Sequence, residues 1–193
     1  MTSYVFLADG FEEIEALATV DILRRAGIDV KTVSIKETHQ VKGAHGVTVD
    51  ADIMFEEMAC TQAEWLILPG GMPGASNLAA HEKLCDKLYE HNAKGGKIAA
   101  ICASPGVVLG PLGIMRGKSG VCYPGFETLM QGCNVQSTLV AVDGNVVTGS
   151  SPAAAMPFAL TIAEITKGAE VADTVAQGML LREDSKTSEY YFG

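Results

Sequence analysis

Four short β-rich runs constrain this chain more than any other feature: Tyr4–Ala8, Val30–Ile35, Trp65–Leu68 and Ile98–Ile101. Most of them are apolar throughout. A strand that buries one face alternates apolar and polar residues, whereas a continuously apolar strand must be covered on both faces. Parallel sheets with helices on either side create that situation. Helical periods fall between the runs, at Glu12–Ala26 and about Glu82–Ala93, with Gly27 and Gly95-Gly96 placed as C-terminal stops. Further helices are expected directly after Cys102 and over about Ala153–Thr166. Two segments break the rhythm. Thr138–Val142 and Val146–Thr148 flank Asp143-Gly144-Asn145, a β-hairpin signal, and Val47–Val49 reads as a short peripheral strand. The polar stretch from Arg182 to Gly193 reads as a loose tail. No repeat, low-complexity tract or linker interrupts the pattern, so the expectation is one α/β sandwich domain over 1–193, with its core at about 3–181.

A chain of 193 residues can bury one good core and is short for two domains. With 14 Lys and Arg against 23 Asp and Glu, the net charge is −9 and no basic cluster stands out. Nucleic acid and anionic membranes are therefore not expected partners. No run approaches the roughly 20 apolar residues of a membrane span. Met1–Asp9 lacks the basic start and long apolar stretch of an export signal, so a cytoplasmic location is expected. Cys60, Cys85, Cys102, Cys122 and Cys133 form no C-x-x-C pair and show no metal-ligand spacing with histidine. They read as free thiols, with no metal site.

Ligands of such sheets bind beyond the carboxyl ends of the strands. That draws attention to Asp9-Gly10-Phe11-Glu12, to Pro69–Gly74, to the Cys102 turn and to Tyr123-Pro124-Gly125. The first helix opens Glu12-Glu13-Ile14-Glu15. Acidic groups in a first turn usually sit at the surface and complement the helix dipole, which is the reading of Glu12 and Glu13. Glu15 differs, because at 3.6 residues per turn it shares a stripe with Ala18, Thr19, Ile22, Leu23 and Ala26. A carboxyl group on the sheet-facing side needs a polar partner. Two kinds are open: a functional group, or nearby backbone amides.

Trp65–Leu68 runs into Pro69-Gly70-Gly71-Met72-Pro73-Gly74, which has neither the G-K-[ST] of a Walker loop nor G-x-G-x-x-G. It reads either as a backbone cradle for an anion or as a tight turn without a ligand. A strand ending at Ile101, then Cys102, then a helix entry at Ser104-Pro105 follows the order of a nucleophile elbow. A helix N-terminus after the thiol would lower its pKa, and Pro105 suits a first turn. An inert buried thiol is the competing reading.

Gly10-Phe11-Glu12-Glu13-Ile14-Glu15, Leu68-Pro69-Gly70-Gly71 and Ala99-Ala100-Ile101-Cys102-Ala103 together resemble the ThiJ/PfpI superfamily. They are most similar to its branch of Parkinsonism-associated protein deglycases and their bacterial YajL-type relatives, over about 3–181. The resemblance implies a flavodoxin-like three-layer sandwich with a mainly parallel sheet, and a homodimer. It makes Cys102 the reactive, oxidation-prone cysteine, Glu15 the acid that hydrogen-bonds its sulfur, and the Gly70-Gly71 turn the backbone cradle beside it. The Ala103 N–H is a further candidate for that cradle, beside Gly71, toward a developing oxyanion. It implies no metal or organic cofactor. The activity it suggests is a glyoxalase or deglycase acting on a small reactive carbonyl such as an α-oxoaldehyde. A redox-sensing or chaperone-like role through Cys102 oxidation is the alternative. The family's thiazole monophosphate biosynthesis label finds no support in these residues.

The chain departs from the branch at Ser104, where Gly is common, and at Tyr123-Pro124, where a His-Pro pair is frequent. Ser104 and Tyr123 are therefore pocket candidates, and two roles are open for Ser104: a changed helix entry, or a hydroxyl offered to an oxidised sulfur. Cys122, beside Tyr123, is a candidate resolving thiol. The last histidine is His91, which excludes a Cys–His pair drawn from the C-terminal half, and Ala103 stands where protease-like members carry His. His39, His45 and His81 read as surface residues.

Overall fold

The computed structural model describes residues 1–58 and 63–181 and places the four runs side by side in one sheet. In chain order the elements are β1 (Ser3–Leu7), α1 (Glu13–Arg25), β2 (Val30–Ser34), β3 (Gln40–Lys42), β4 (Thr48–Asp50), β5 (Ile53–Met54) and β6 (Trp65–Leu68). There follow α2 (Gly74–Ala80), α3 (Glu82–Ala93), β7 (Lys97–Ile101), β8 (Ser119–Gly120) and β9 (Asn134–Val135). The last are β10 (Val140–Asp143), β11 (Val146–Gly149), α4 (Ala155–Lys167) and α5 (Ala169–Gly178). The seven-stranded sheet has the order β10-β11-β7-β6-β1-β2-β5 and is parallel except at β10–β11, the hairpin expected around Asp143-Gly144-Asn145.

The apolar runs are explained by their two faces. Along β1, Val5 and Leu7 pack with α1, α4 and α5, while Tyr4 and Phe6 pack with α2 and α3. The same division separates Trp65 and Ile67 from Leu66 and Leu68, and Ala99 and Ile101 from Ile98 and Ala100. Each strand thus feeds two cores, which is why it carries no polar face. On α1 the buried stripe is Ala16, Thr19, Val20, Ile22 and Leu23, and the helix stops at Gly27 with φ +68°. Trp65 buries its ring and donates its indole N–H to Thr166 Oγ1 at 2.8 Å, tying β6 to α4.

Four local expectations change. The helix after Cys102 is a five-residue π-helical turn, Pro105–Leu109, followed by turns. Gly106 and Gly110 bring its backbone against Phe126 and Leu129, and Pro111 then lacks the N–H needed to continue a helix. The peripheral strand at Val47–Val49 is β4, shifted by one residue, and it pairs antiparallel with β3 as a second hairpin. α2 and α5 go beyond the expected helices; Gly168, at φ +92°, separates α4 from α5. Cys60 and the tail from Arg182 to Gly193 lie outside the described residues. Among those described, no helix is long and apolar enough to cross a membrane.

Phe158, fully buried where α4 meets the sheet, should be costly to truncate. Phe158→Ala is expected to lose about 3–5 kcal/mol in urea denaturation. Lys83→Ala, which removes an ion pair with Glu56 between two exposed side chains, is expected to leave the midpoint unchanged.

Candidate functional site

The site forms where the N-terminus of α1 lies over the carboxyl ends of β6 and β7. Glu15 is wholly buried. Its Oε2 accepts the Gly70 N–H at 2.7 Å, and its Oε1 is buried with no hydrogen-bond partner among the described residues. The carboxyl also interacts with the Cys102 thiol. Backbone and side chain are therefore both partners of the carboxyl: the Gly70 amide and the Cys102 thiol.

Cys102 reaches that position by breaking strand alternation. Ile98 and Ala100 face the α2–α3 layer, so regular continuation would send residue 102 there too. Instead Cys102 has φ +63°, a left-handed conformation, and its side chain packs in the α1–α4 layer with Glu15. Such a turn costs a non-glycine residue on the order of 1–2 kcal/mol. Neighbouring elements hold it on both sides: Cys102 N–H donates to Gly149 O at 2.9 Å, and Cys102 O accepts Tyr123 N–H at 2.8 Å.

The glycine loop closes the other side. A Cβ at Gly70 would lie 2.7 Å from Cys102 Cβ and 2.8 Å from Glu15 Oε2, so only glycine fits between the two groups. Gly71 and Ala103 direct their N–H groups at the Cys102 sulfur. Of the three residues expected to form an anion cradle, Gly70 does something else, because its N–H is committed to Glu15.

Burial is the main force on both ionisable groups. It raises Glu15 from 4.5 to about 7, against the opposing hydrogen bonds of Gly70 and Cys102, while the nearby charge of Glu12 adds to the rise. Burial, then the charge of Glu15 and its hydrogen bond, push the Cys102 thiol from 9.0 up to about 12, and the amides of Gly71 and Ala103 only partly offset this. The lowering expected from a following helix N-terminus is thus overturned. A single π-helical turn supplies little dipole, and desolvation next to a carboxylate outweighs it. The electrostatic part of the rise exists only while Glu15 is ionised, so the two groups share one negative charge.

Glu12 and Glu13 are not the surface groups expected. Both are buried. Glu12 caps α1 by accepting the Glu15 N–H at 2.8 Å. Glu13 clasps the turn of the β3–β4 hairpin: its Oε1 accepts His45 N–H at 2.7 Å and Val47 N–H at 3.3 Å, and its Oε2 meets His45 Nδ1 at 2.9 Å. His45 is exposed as expected, but its partnership with Glu13 was not legible, since 32 residues separate the pair. The ligand atoms of Glu12, Glu13 and His45 lie within 4.8 Å of one another, a spacing a cation could use, yet Glu13 already accepts from the hairpin at both oxygens.

Ser104 is fully buried, and its Oγ donates to Pro69 O at 2.6 Å, so the hydroxyl is not offered to the sulfur. Tyr123 is 44% exposed and is held through its backbone bond to Cys102. Cys122 packs in the α2–α3 layer, the core cluster opposite that of Cys102, which removes the basis for a resolving role. Burial, with Glu127 and Cys133 adding to it, pushes the Cys122 thiol up to about 11.

A family model described as the DJ-1/PfpI family matches residues 1–165. The chain is 35% identical over 182 residues to protein dj-1beta of Drosophila melanogaster, covering 93% of this chain and 97% of that protein. It is 31% identical over 154 residues to a protein of Pyrococcus abyssi named a deglycase, covering 79% and 91%. Against DJ-1 homolog A of Arabidopsis thaliana the identity is 33% over 183 residues, covering 94% of this chain but 47% of that protein; the chain spans about half the length of this relative. Among solved structures, Drosophila DJ-1beta superposes with a TM-score of 0.90 at 34% identity, covering 94% of this chain and 98% of that one. Toxoplasma gondii DJ-1, described as oxidized, gives 0.88 at 37%, covering 93% and 97%. The mostly parallel sheet with flanking helices is the flavodoxin-like arrangement of these proteins.

The raised Glu15 value has a direct consequence for stability. As pH rises, the unfolded chain gives up this proton near 4.5 while the folded protein keeps it until about 7. The group's contribution therefore falls across that window and is level above it. Glu15→Gln abolishes the fall. Relative to wild type, the variant is expected to gain up to roughly 3 kcal/mol between the low and high ends of the window, read from urea midpoints. A pH-independent difference between the two proteins would contradict the assignment.

Proposed function

The chain belongs to the DJ-1/PfpI family, and from that membership and the Cys102–Glu15 pair we propose a cysteine-dependent, cofactor-independent enzyme of glyoxalase or deglycase type acting on α-oxoaldehydes or their adducts. The observation that carries this reading is the pair itself: a buried carboxyl raised to about 7 beside a thiol on a strained turn. A proton acceptor near neutrality is what a step that both removes and returns a proton requires.

The thiol proton passes to Glu15, which relocates the shared charge onto sulfur. The sulfur attacks the aldehyde carbon. As the S–C bond forms, the carbonyl electron pair moves onto oxygen beside the N–H groups of Gly71 and Ala103, and that oxygen takes the proton from Glu15. The carboxylate then removes the hydrogen of the former aldehyde carbon as a proton. The released pair forms a carbon–carbon double bond and the ketone pair moves onto its own oxygen, giving an enediolate. That oxygen takes the hydroxyl proton of the sulfur-bearing carbon, Glu15 returns its proton to the adjacent carbon, and the carbonyl re-forms as a thioester. Water cleaves the thioester to a 2-hydroxy acid and the free thiol. One substrate carbon is oxidised as its neighbour is reduced, so the reaction needs no external oxidant. The name of the archaeal relative supports extending the first step to carbonyl adducts. The expected homodimer belongs to the same reading, with the exposed Ile14 and Leu17 of α1 as apolar surface for a second copy.

Conversion of methylglyoxal to lactate tests the proposal. Cys102→Ser is expected to abolish it, and Glu15→Gln to lower kcat on the order of 10²- to 10⁴-fold. Absence of turnover by the wild-type protein defeats it. A second reading, a redox-responsive protein, is favoured by two N–H groups that suit sulfinate oxygens as well as an alkoxide. Mild peroxide followed by mass spectrometry separates the two: selective gain of two oxygens at Cys102 in a protein without turnover would select the redox role.

A further inference from the structure

We propose that Ser104 is a positioning residue, whose hydroxyl acts as a strut between the nucleophile elbow and the glycine loop and holds the Gly71 and Ala103 N–H groups on the Cys102 sulfur. The inference rests on the reading of Cys102 as the reacting thiol.

A serine at the mouth of a helical segment normally turns its oxygen back to cap that segment's own N–H groups. Ser104 immediately precedes Pro105–Leu109 and makes no such bond. Its hydroxyl crosses instead to Pro69 O, 35 residues away in sequence, at 2.6 Å and with the side chain fully buried. The acceptor is one that needs a donor. The β6–β7 register ends at Leu68–Ala100, so the Pro69 carbonyl lies just past the ladder. Leaving a buried carbonyl unpaired is costly.

What this bond joins gives it a role. Pro69 precedes Gly70, whose N–H holds Glu15, and Gly71, whose N–H meets the sulfur. Ser104 follows Ala103, the other N–H donor to the sulfur. The strut therefore spans the two halves of the cradle, one on the β6 loop and one on the β7 turn. The loop's other anchors run toward α1 and away from β7: Glu12 N–H donates to Gly70 O at 3.0 Å, and Gly74 N–H to Gly10 O at 3.1 Å. Ser104 supplies a side-chain tie on the Cys102 side. Without it the loop keeps only its anchors toward α1, and its spacing from the β7 turn is no longer tied by a side chain. The thiolate then loses the fixed position of one of its two donors.

The rate of Cys102 alkylation by iodoacetamide across pH, followed by peptide mass spectrometry, reads the sulfur directly. Ser104→Ala is expected to fold, to alkylate about three- to tenfold more slowly near neutrality, and to shift the midpoint of the pH profile upward, as loss of one buried hydrogen bond implies. Ser104→Thr, which keeps the hydroxyl, is expected to follow the wild-type profile. A folded Ser104→Ala with the wild-type profile overturns the proposal, because the hydroxyl would then only add stability. So does a Ser104→Ala that fails to fold, or a Ser104→Thr as slow as Ser104→Ala. Methylglyoxal turnover is measured separately: a wild-type protein without turnover ends the carbonyl reading and leaves the alkylation result standing.

Discussion

The hydrogen bond from Gly70 N–H to Glu15 Oε2 is the contact on which the site depends. A carboxyl group with no exposed surface survives only where donors reach it, and here one backbone amide and one thiol must suffice. That requirement fixes three elements relative to one another. The first turn of α1 carries the acid, the end of β6 carries the amide, and the turn after β7 carries the sulfur. Glycine at position 70 follows, because any Cβ would occupy the space between acid and thiol. The compensation is incomplete, and the incompleteness is useful. Fully satisfied, Glu15 would be an ordinary low-pKa carboxylate; left with one amide and a thiol, it titrates near neutrality.

Around this contact the loops support one another. Gly10 N–H donates to Lys42 O at 2.7 Å and Ala44 N–H to Phe11 O at 2.8 Å, fastening the β3–β4 hairpin to the loop before α1. Glu13 reinforces that junction with its clasp on His45 and Val47. Glu12 N–H reaches the glycine loop through Gly70 O, and Ser104 closes the path from that loop to the elbow. Each joint is a polar contact between segments distant in the chain, part-buried at the Glu13 clasp and buried at Ser104. The cradle is thus held from two directions.

What could be read beforehand tracks how local each signal is. The helix Glu82–Ala93 and the hairpin at Asp143-Gly144-Asn145 are encoded by patterns within one segment, and both are present. The burial of Glu15 was legible because helical periodicity places it on an apolar stripe. The rule that first-turn acids sit at the surface misplaced Glu13. Periodicity reports which way a residue points, not what lies there, and the β3–β4 turn covers that side of the helix. Ser104 was misread for a similar reason: its position beside the cysteine suggested a pocket, while the hydroxyl answers a carbonyl 35 residues earlier.

By itself the sequence determined the two-faced strands, the acid on the buried stripe, the glycine pair after β6 and the cysteine at a strand end. These follow from period, residue volume and backbone freedom, which are properties of short windows. Only the tertiary structure decided that Cys102 turns through φ +63° onto Glu15's side of the sheet, reversing the side that alternation assigns to it. It likewise decided that Gly70 serves the acid while Gly71 and Ala103 serve the sulfur. The balance of protons between acid and thiol was settled there as well, because desolvation and charge coupling depend on distances across separate segments.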